Sequence, residues 1–117
     1  MPLQVLLVED SPGDLRLTQE AFRDVNPFVR LHIANDGVEA MAFLKREGRY
    51  LDAPRPDLVL LDLNLPKVDG REVLAYIKDD PGLKTIPTVI LTSSEAESDV
   101  VKSYQLQANC YLSKPMH

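Results

Sequence analysis

The chain has 117 residues, 44% of them hydrophobic and 26% charged, which is the balance of an ordinary globule and a length that fills one domain with one core. A formal net charge of −5, with the 13 Lys and Arg scattered, argues against nucleic acid or an anionic membrane as a direct partner, since excess acid is repelled by both. One cysteine, Cys110, leaves no internal disulfide, no charged-then-apolar leader precedes Leu3, and no apolar run approaches bilayer length, so a reduced, cytoplasmic setting is expected.

In chain order, QVLLV at Gln4 to Val8 is the first apolar run and leads into Glu9 and Asp10. Leu15, Thr18, Ala21 and Phe22 then recur at helical steps. VRLHIA, Val29 to Ala34, alternates instead of running apolar throughout, which places it at the edge of a sheet. Gly37 to Glu47 is the clearest helix, with Val38, Met41, Phe43 and Leu44 on one stripe behind an Asp36 able to cap its first turn.

LVLL, Leu58 to Leu61, drives straight into Asp62. Val73, Leu74 and Ile77 pattern a further helix, TVIL from Thr88 to Leu91 meets Thr92, and Val100, Val101 and Tyr104 suggest a fourth helix. CYL, Cys110 to Leu112, is followed by Lys114 and Pro115. Strands rich in Val, Ile and Leu alternating with amphipathic helices predict an α/β fold, a doubly wound five-stranded parallel sheet with helices on both faces.

Such sheets bind ligands beyond the carboxyl ends of their strands, where the strand order reverses. Glu9, Asp10, Asp62, Thr92 and Lys114 all fall at those ends, although they are spread from position 9 to position 114. Three carboxylates gathered there repel by about 4 kcal/mol per pair at ~4 Å and an effective dielectric of 20. A raised pKa, the Lys114 ammonium or a hard cation would offset this, and an all-oxygen donor set suits Mg2+. Asp62 is then a candidate nucleophile for a phosphoryl group, with Thr92 and Lys114 to bind its oxygens.

Taken together, VEDSPGD, LLDLNLPKVDG, VILTSS and CYLSKP, in this order and at these separations, resemble the receiver domain of two-component response regulators over the whole chain. The resemblance implies a flavodoxin-like sheet of order 2-1-3-4-5, with Asp62 as phospho-acceptor and Glu9 and Asp10 supporting Mg2+. It further implies that the backbone carbonyl of Asn64 completes the metal site, that Lys114 pairs with the phosphate ahead of a cis bond to Pro115, and that Thr92 and Tyr111 act as switch residues. Asn64 and Ser94 would tune water access to the acyl phosphate.

The stretches REGRYLDAPRPDLVLLDLNLPKVDGREVLAYIK and NCYLSKP look like the small stand-alone regulators that serve bacterial phytochrome histidine kinases. The implied partner is such a sensor kinase, which supplies the histidine of this chemistry; the two histidines here, His32 and His117, fall in no cluster suited to zinc. Receivers continue past the Lys-Pro element into a fifth helix, whereas this sequence stops at Pro115-Met116-His117. The expectation is a single receiver domain over 1–117 truncated before that helix, or one whose exposed face a second copy covers in a homodimer through the fourth helix and fifth strand.

Rival readings share parts of this pattern. A haloacid-dehalogenase-like phosphatase also uses an aspartate nucleophile with a threonine or serine, a lysine and Mg2+, but its general acid sits two positions after the nucleophile, where this chain has Asn64. A flavodoxin-like nucleotide or flavin carrier needs a Gly/Ser/Thr loop after the first strand, and EDSPGD would repel phosphate there. A pseudo-receiver that binds partners without phosphorylation keeps the fold and dispenses with the chemistry. None of these, nor the receiver itself, is expected to turn over an external substrate except the phosphatase.

Overall fold

The computed structural model describes residues 2–26, 28–62, 70–92 and 110–113, the last stretch and Thr92 as backbone. Five strands, β1 (Leu3–Val8), β2 (Val29–Ala34), β3 (Leu58–Asp62), β4 (Thr88–Thr92) and β5 (Cys110–Ser113), pair in parallel in the order β2-β1-β3-β4-β5. Three α-helices, α1 (Pro12–Val25), α2 (Gly37–Lys45) and α3 (Gly70–Asp79), alternate with them, and a short 3-10 turn, Gly48–Tyr50, follows α2. The expected topology is therefore observed, with VRLHIA at the edge. The fourth-helix pattern around Val100, and the expected cis bond between Lys114 and Pro115, lie outside the described residues.

Alternation along each central strand divides the interior in two. Leu6 and Val8 of β1 and Val59 and Leu61 of β3 face α2 and α3, where they meet Phe43, Leu44, Val73, Leu74 and Ile77. Val5, Leu7 and Leu60 point to the other face, against Leu15 and Phe22 of α1. Both faces are apolar because helices cover both, which explains the uninterrupted VLLV and LVLL runs.

Local chemistry sets the helix ends. Ser11 accepts the Asp14 N–H through its hydroxyl at 3.4 Å and Pro12 opens α1, while Asp36 accepts the Glu39 N–H at 2.8 Å and caps α2 as expected. α2 ends at Lys45, two residues before the Glu47 expected from periodicity. Arg46 turns left-handed with φ 57°, and the N–H groups of Arg46 and Glu47 return to the carbonyls of Phe43 and Ala42 at 3.1 and 2.9 Å, a Schellman close. Hydrophobic spacing cannot register such a stop, because Arg46 and Glu47 continue the pattern while the backbone has already left it.

His32 on β2 packs its ring 5.4 Å from that of Phe43 and sets Nε2 2.6 Å from Gln4 Oε1. Burial, reinforced by the charge of Arg30, lowers its pKa below the ordinary 6.5. The folded state thus resists protonation more than the unfolded chain does, so the neutral ring contributes fully above pH 6.5 and loses its contribution as pH falls toward the lowered value. Urea unfolding between pH 7.5 and 5.5 is expected to show a stability loss in the wild type that His32→Gln reduces. In a second test, Arg46→Gly relieves a left-handed side-chain-bearing residue and is expected to stabilise the fold by about 0.5–1 kcal/mol, read from the denaturant midpoint.

Candidate functional site

The strand order reverses between β1 and β3, and the two strands end level. Val8 pairs with Leu61, so Glu9, the next residue on one chain segment, stands beside Asp62, the last residue of β3. Glu9 is 1% and Asp62 2% exposed, whereas Asp10 faces solvent. One carboxylate oxygen from each of Glu9, Asp10 and Asp62 lies within 4.8 Å of the others. Parallel pairing thus brings Glu9 and Asp62 together, and the turn after β1 adds Asp10, so the three acids singled out from sequence meet.

The turn after β1 holds this arrangement in place. The Glu9 N–H donates to the Ala34 carbonyl at 3.0 Å, tying the loop to the end of β2. Glu9 Oε1 accepts the Ser11 N–H at 3.2 Å, and the Ser11 hydroxyl caps α1. One serine thus orients a site carboxylate with its backbone and starts a helix with its side chain. Sequence reading passed over Ser11, although SPGD carries the signature of a helix N-terminus, Ser at the cap and an acid three residues on.

A second set of contacts braces the neighbouring β2–α2 loop. Glu39 Oε2 accepts the Asn35 N–H at 2.8 Å, while its Oε1 pairs with Arg49 and accepts the Tyr50 hydroxyl at 3.2 Å. The Arg49 guanidinium also stacks over the Tyr50 ring, 4.8 Å from its centroid. The hydrogen bond to Tyr50, before the charge of Glu39, raises the Arg49 pKa, so this cation is fixed at any accessible pH. Nothing in the local sequence announces this bridge, because Glu39 and Arg49 are ten positions apart and meet only once the Arg46 turn reverses the chain.

Of the other expected site residues, Thr92 is the last residue of β4 and pairs with Ser113, one step beyond the Asp62–Leu91 pair, so its backbone lies at the same end of the sheet as Asp62. Tyr111 lies in β5 opposite Ile90. Asn64 and Lys114 fall outside the described residues, Lys114 one position after the end of β5.

Chemically, three carboxylates offer only hard oxygen donors, two of them in a nearly dry setting, and suit an oxygen-seeking divalent cation better than a soft one. Among the described residues no helix is long and apolar enough to cross a membrane.

A family model described as the response regulator receiver domain matches residues 5–117. The response regulator Rcp1 of Synechocystis sp. is 57% identical over 113 residues, covering 97% of this chain and 77% of that protein. A crystal structure of the phosphorylated cyanobacterial phytochrome response regulator RcpA has a TM-score of 0.91 at 51% identity, over 100% of this chain and 84% of its own. The Mn(2+)-bound form of Rcp1 gives 0.90 at 55% identity, over 99% and 84%. The likeness thus extends to a relative that holds a divalent metal.

Because like charges converge at Asp62, its neutralisation should stabilise the metal-free protein. In chelator, Asp62→Asn is expected to raise unfolding free energy by about 1–3 kcal/mol, a fraction of the repulsion between close carboxylates. Millimolar Mg2+ or Mn2+ should raise the thermal midpoint of the wild type, by about 2.7 kcal/mol in stability at a hundred times Kd, and raise that of the variant far less. Equal midpoints with and without metal in the wild type would remove the cation site.

Proposed function

The chain belongs to the response regulator receiver family, and on that premise we propose that Asp62 accepts a phosphoryl group from a phosphohistidine of a sensor kinase. The observation that carries the reading is the convergence of Glu9, Asp10 and Asp62 within 4.8 Å at the switch point of the sheet. A carboxylate on a buried strand end, held by the register of β1 and β3, is a preorganised nucleophile. In the step, an Asp62 oxygen forms a bond to phosphorus as the phosphorus–nitrogen bond of the donor breaks, and the imidazole nitrogen leaves with the electron pair.

Glu9, Asp10, Asp62 and the backbone carbonyl of Asn64 are the proposed holders of a divalent cation, Mg2+ in the cell. Such an ion, when bound, neutralises charge on the transferring phosphoryl oxygens. Ser11 supports the set by fixing the orientation of Glu9 Oε1. Lys114 is assigned to the acyl phosphate as its ammonium partner, Thr92 to the hydroxyl that bonds it, and Tyr111 to the aromatic that follows. Support for these three is their place in the chain: Thr92 ends β4, Tyr111 lies within β5 and Lys114 follows it, all at the strand ends or beside them.

The transfer is a single event on the chain's own side chain, so the protein acts as a signalling relay rather than as an enzyme on an external substrate. The similarity to Rcp1 and RcpA supports a phytochrome-type histidine kinase as donor, in the cytoplasm. Output is assigned to protein contact around β5, where a second copy of the chain is one candidate ligand, through a population shift between two packed states.

Intact-protein mass after incubation with acetyl phosphate and Mg2+ tests the assignment of Asp62. The expected result is one added phosphoryl group that is lost slowly and is absent in Asp62→Asn and in chelator. Folded wild-type protein that gains nothing under these conditions would reduce Asp62 to a structural strand end and leave an interaction module that works without phosphate.

A further inference from the structure

β2 is the outermost strand of the sheet, and the direction of its backbone follows from one bond. The Ala34 carbonyl accepts the Glu9 N–H, so Ala34 and His32 direct their backbone groups at β1. By the two-residue period of a strand, Leu31 and Ile33 direct their N–H and C=O groups outward. Among the described residues no strand pairs on that side. Open ladders of this kind are commonly blunted by charge or accept another strand.

This edge borders a groove of about 530 Å³. Leu31, His32 and Ile33 form one wall, the segment from Arg49 to Pro54 forms the other, and Phe43 lies at the base. The far wall is held by the Glu39–Arg49–Tyr50 contacts and by the Tyr50 ring against Phe43, 5.4 Å between centroids. The groove is therefore built rather than a gap between loose loops. Arg49 is matched by Glu39, whereas Arg30, exposed on β2 on the same face as His32, makes no ion pair among the described residues. Among the described residues Asp52 is the one carboxylate of the lining, and it belongs to the far wall.

We infer that the open edge of β2 is a docking site for an extended, acidic segment of a partner protein, which adds to the sheet as a sixth strand. Its backbone pairs with Leu31 and Ile33. On the α2 face, it places Asp or Glu opposite the Arg30 guanidinium and, two residues away, an apolar side chain over His32, Phe43 and Tyr50. Charge decides the occupant: among the described residues Arg30 is a cation without an ion pair, in a chain of net charge −5, so a second copy, presenting the same Arg30 to the same edge, is the poorer fit. The site lies beside the β2–α2 loop and does not depend on phosphoryl transfer.

The test is selection of short random peptides on the wild-type protein with subtraction of those retained by Arg30→Glu, followed by amide chemical-shift mapping. Surviving peptides are expected to carry an acid and an apolar residue two positions apart, to shift and protect the Leu31 and Ile33 amides, and to bind Arg30→Glu about tenfold more weakly. Alternate N-methylation of the peptide backbone, which removes ladder donors without touching the protein, should abolish binding. Circular dichroism of Arg30→Glu controls for folding, and this exposed side chain is expected to leave the spectrum unchanged. Peptides that move amides elsewhere, survival of none, or undiminished binding after N-methylation would overturn the proposal. Concentration-dependent protection of Leu31 and Ile33 in the protein alone would also overturn it and assign the edge to a second copy.

Discussion

Everything at the site depends on the register between β1 and β3. Pairing Val8 with Leu61 buries VLLV and LVLL in full, whereas a slip by one residue would draw a carboxylate from a strand end into an apolar layer. The price of that register is two carboxylates, Glu9 and Asp62, buried side by side at the strand ends. Hydrophobic burial of the strands, at about 25 cal/mol per Å², is large enough to hold them there. Repulsion that folding tolerates becomes attraction for any cation, which is how a packing constraint creates a reactive site.

The surroundings confine that repulsion instead of dispersing it. Glu9 is held at three points: by its own N–H to Ala34, through the Ser11 N–H, and by the strand behind it. A side chain fixed in this way loses little entropy when a ligand arrives, so more of the interaction energy appears as affinity. The β2–α2 loop, which follows the Ala34 carbonyl that accepts the Glu9 N–H, is braced in turn by Glu39, Arg49 and Tyr50. Site and sheet edge therefore share one frame, and the 3-10 turn after α2 contributes to both.

Much of this was legible in the residues. All five strands lie where apolar runs placed them, each within two residues of its expected end, and VRLHIA lies at the edge, its apolar run broken by Arg30 and His32. Asp36 caps α2 as its position suggested. The end of α2 was misjudged because Arg46 and Glu47 are compatible with helix, and only the left-handed backbone at Arg46 stops it. Ser11 was overlooked because its effect on the site is exerted by a backbone N–H, which every residue but proline carries.

By itself, the sequence determined the alternation of strand and helix, the two-sided burial and the placing of Glu9, Asp10 and Asp62 at strand ends, because these follow from periodicities of two and of three to four residues. Tertiary structure alone decided the distances: that three acids lie within 4.8 Å, that Glu39 meets Arg49 across ten positions, and that Leu31 and Ile33 turn their backbone to an open groove. The physical reason is that local pattern records which face a residue must bury. Which residues then meet across that face depends on register and chain reversal, and those are settled only when the whole sheet packs.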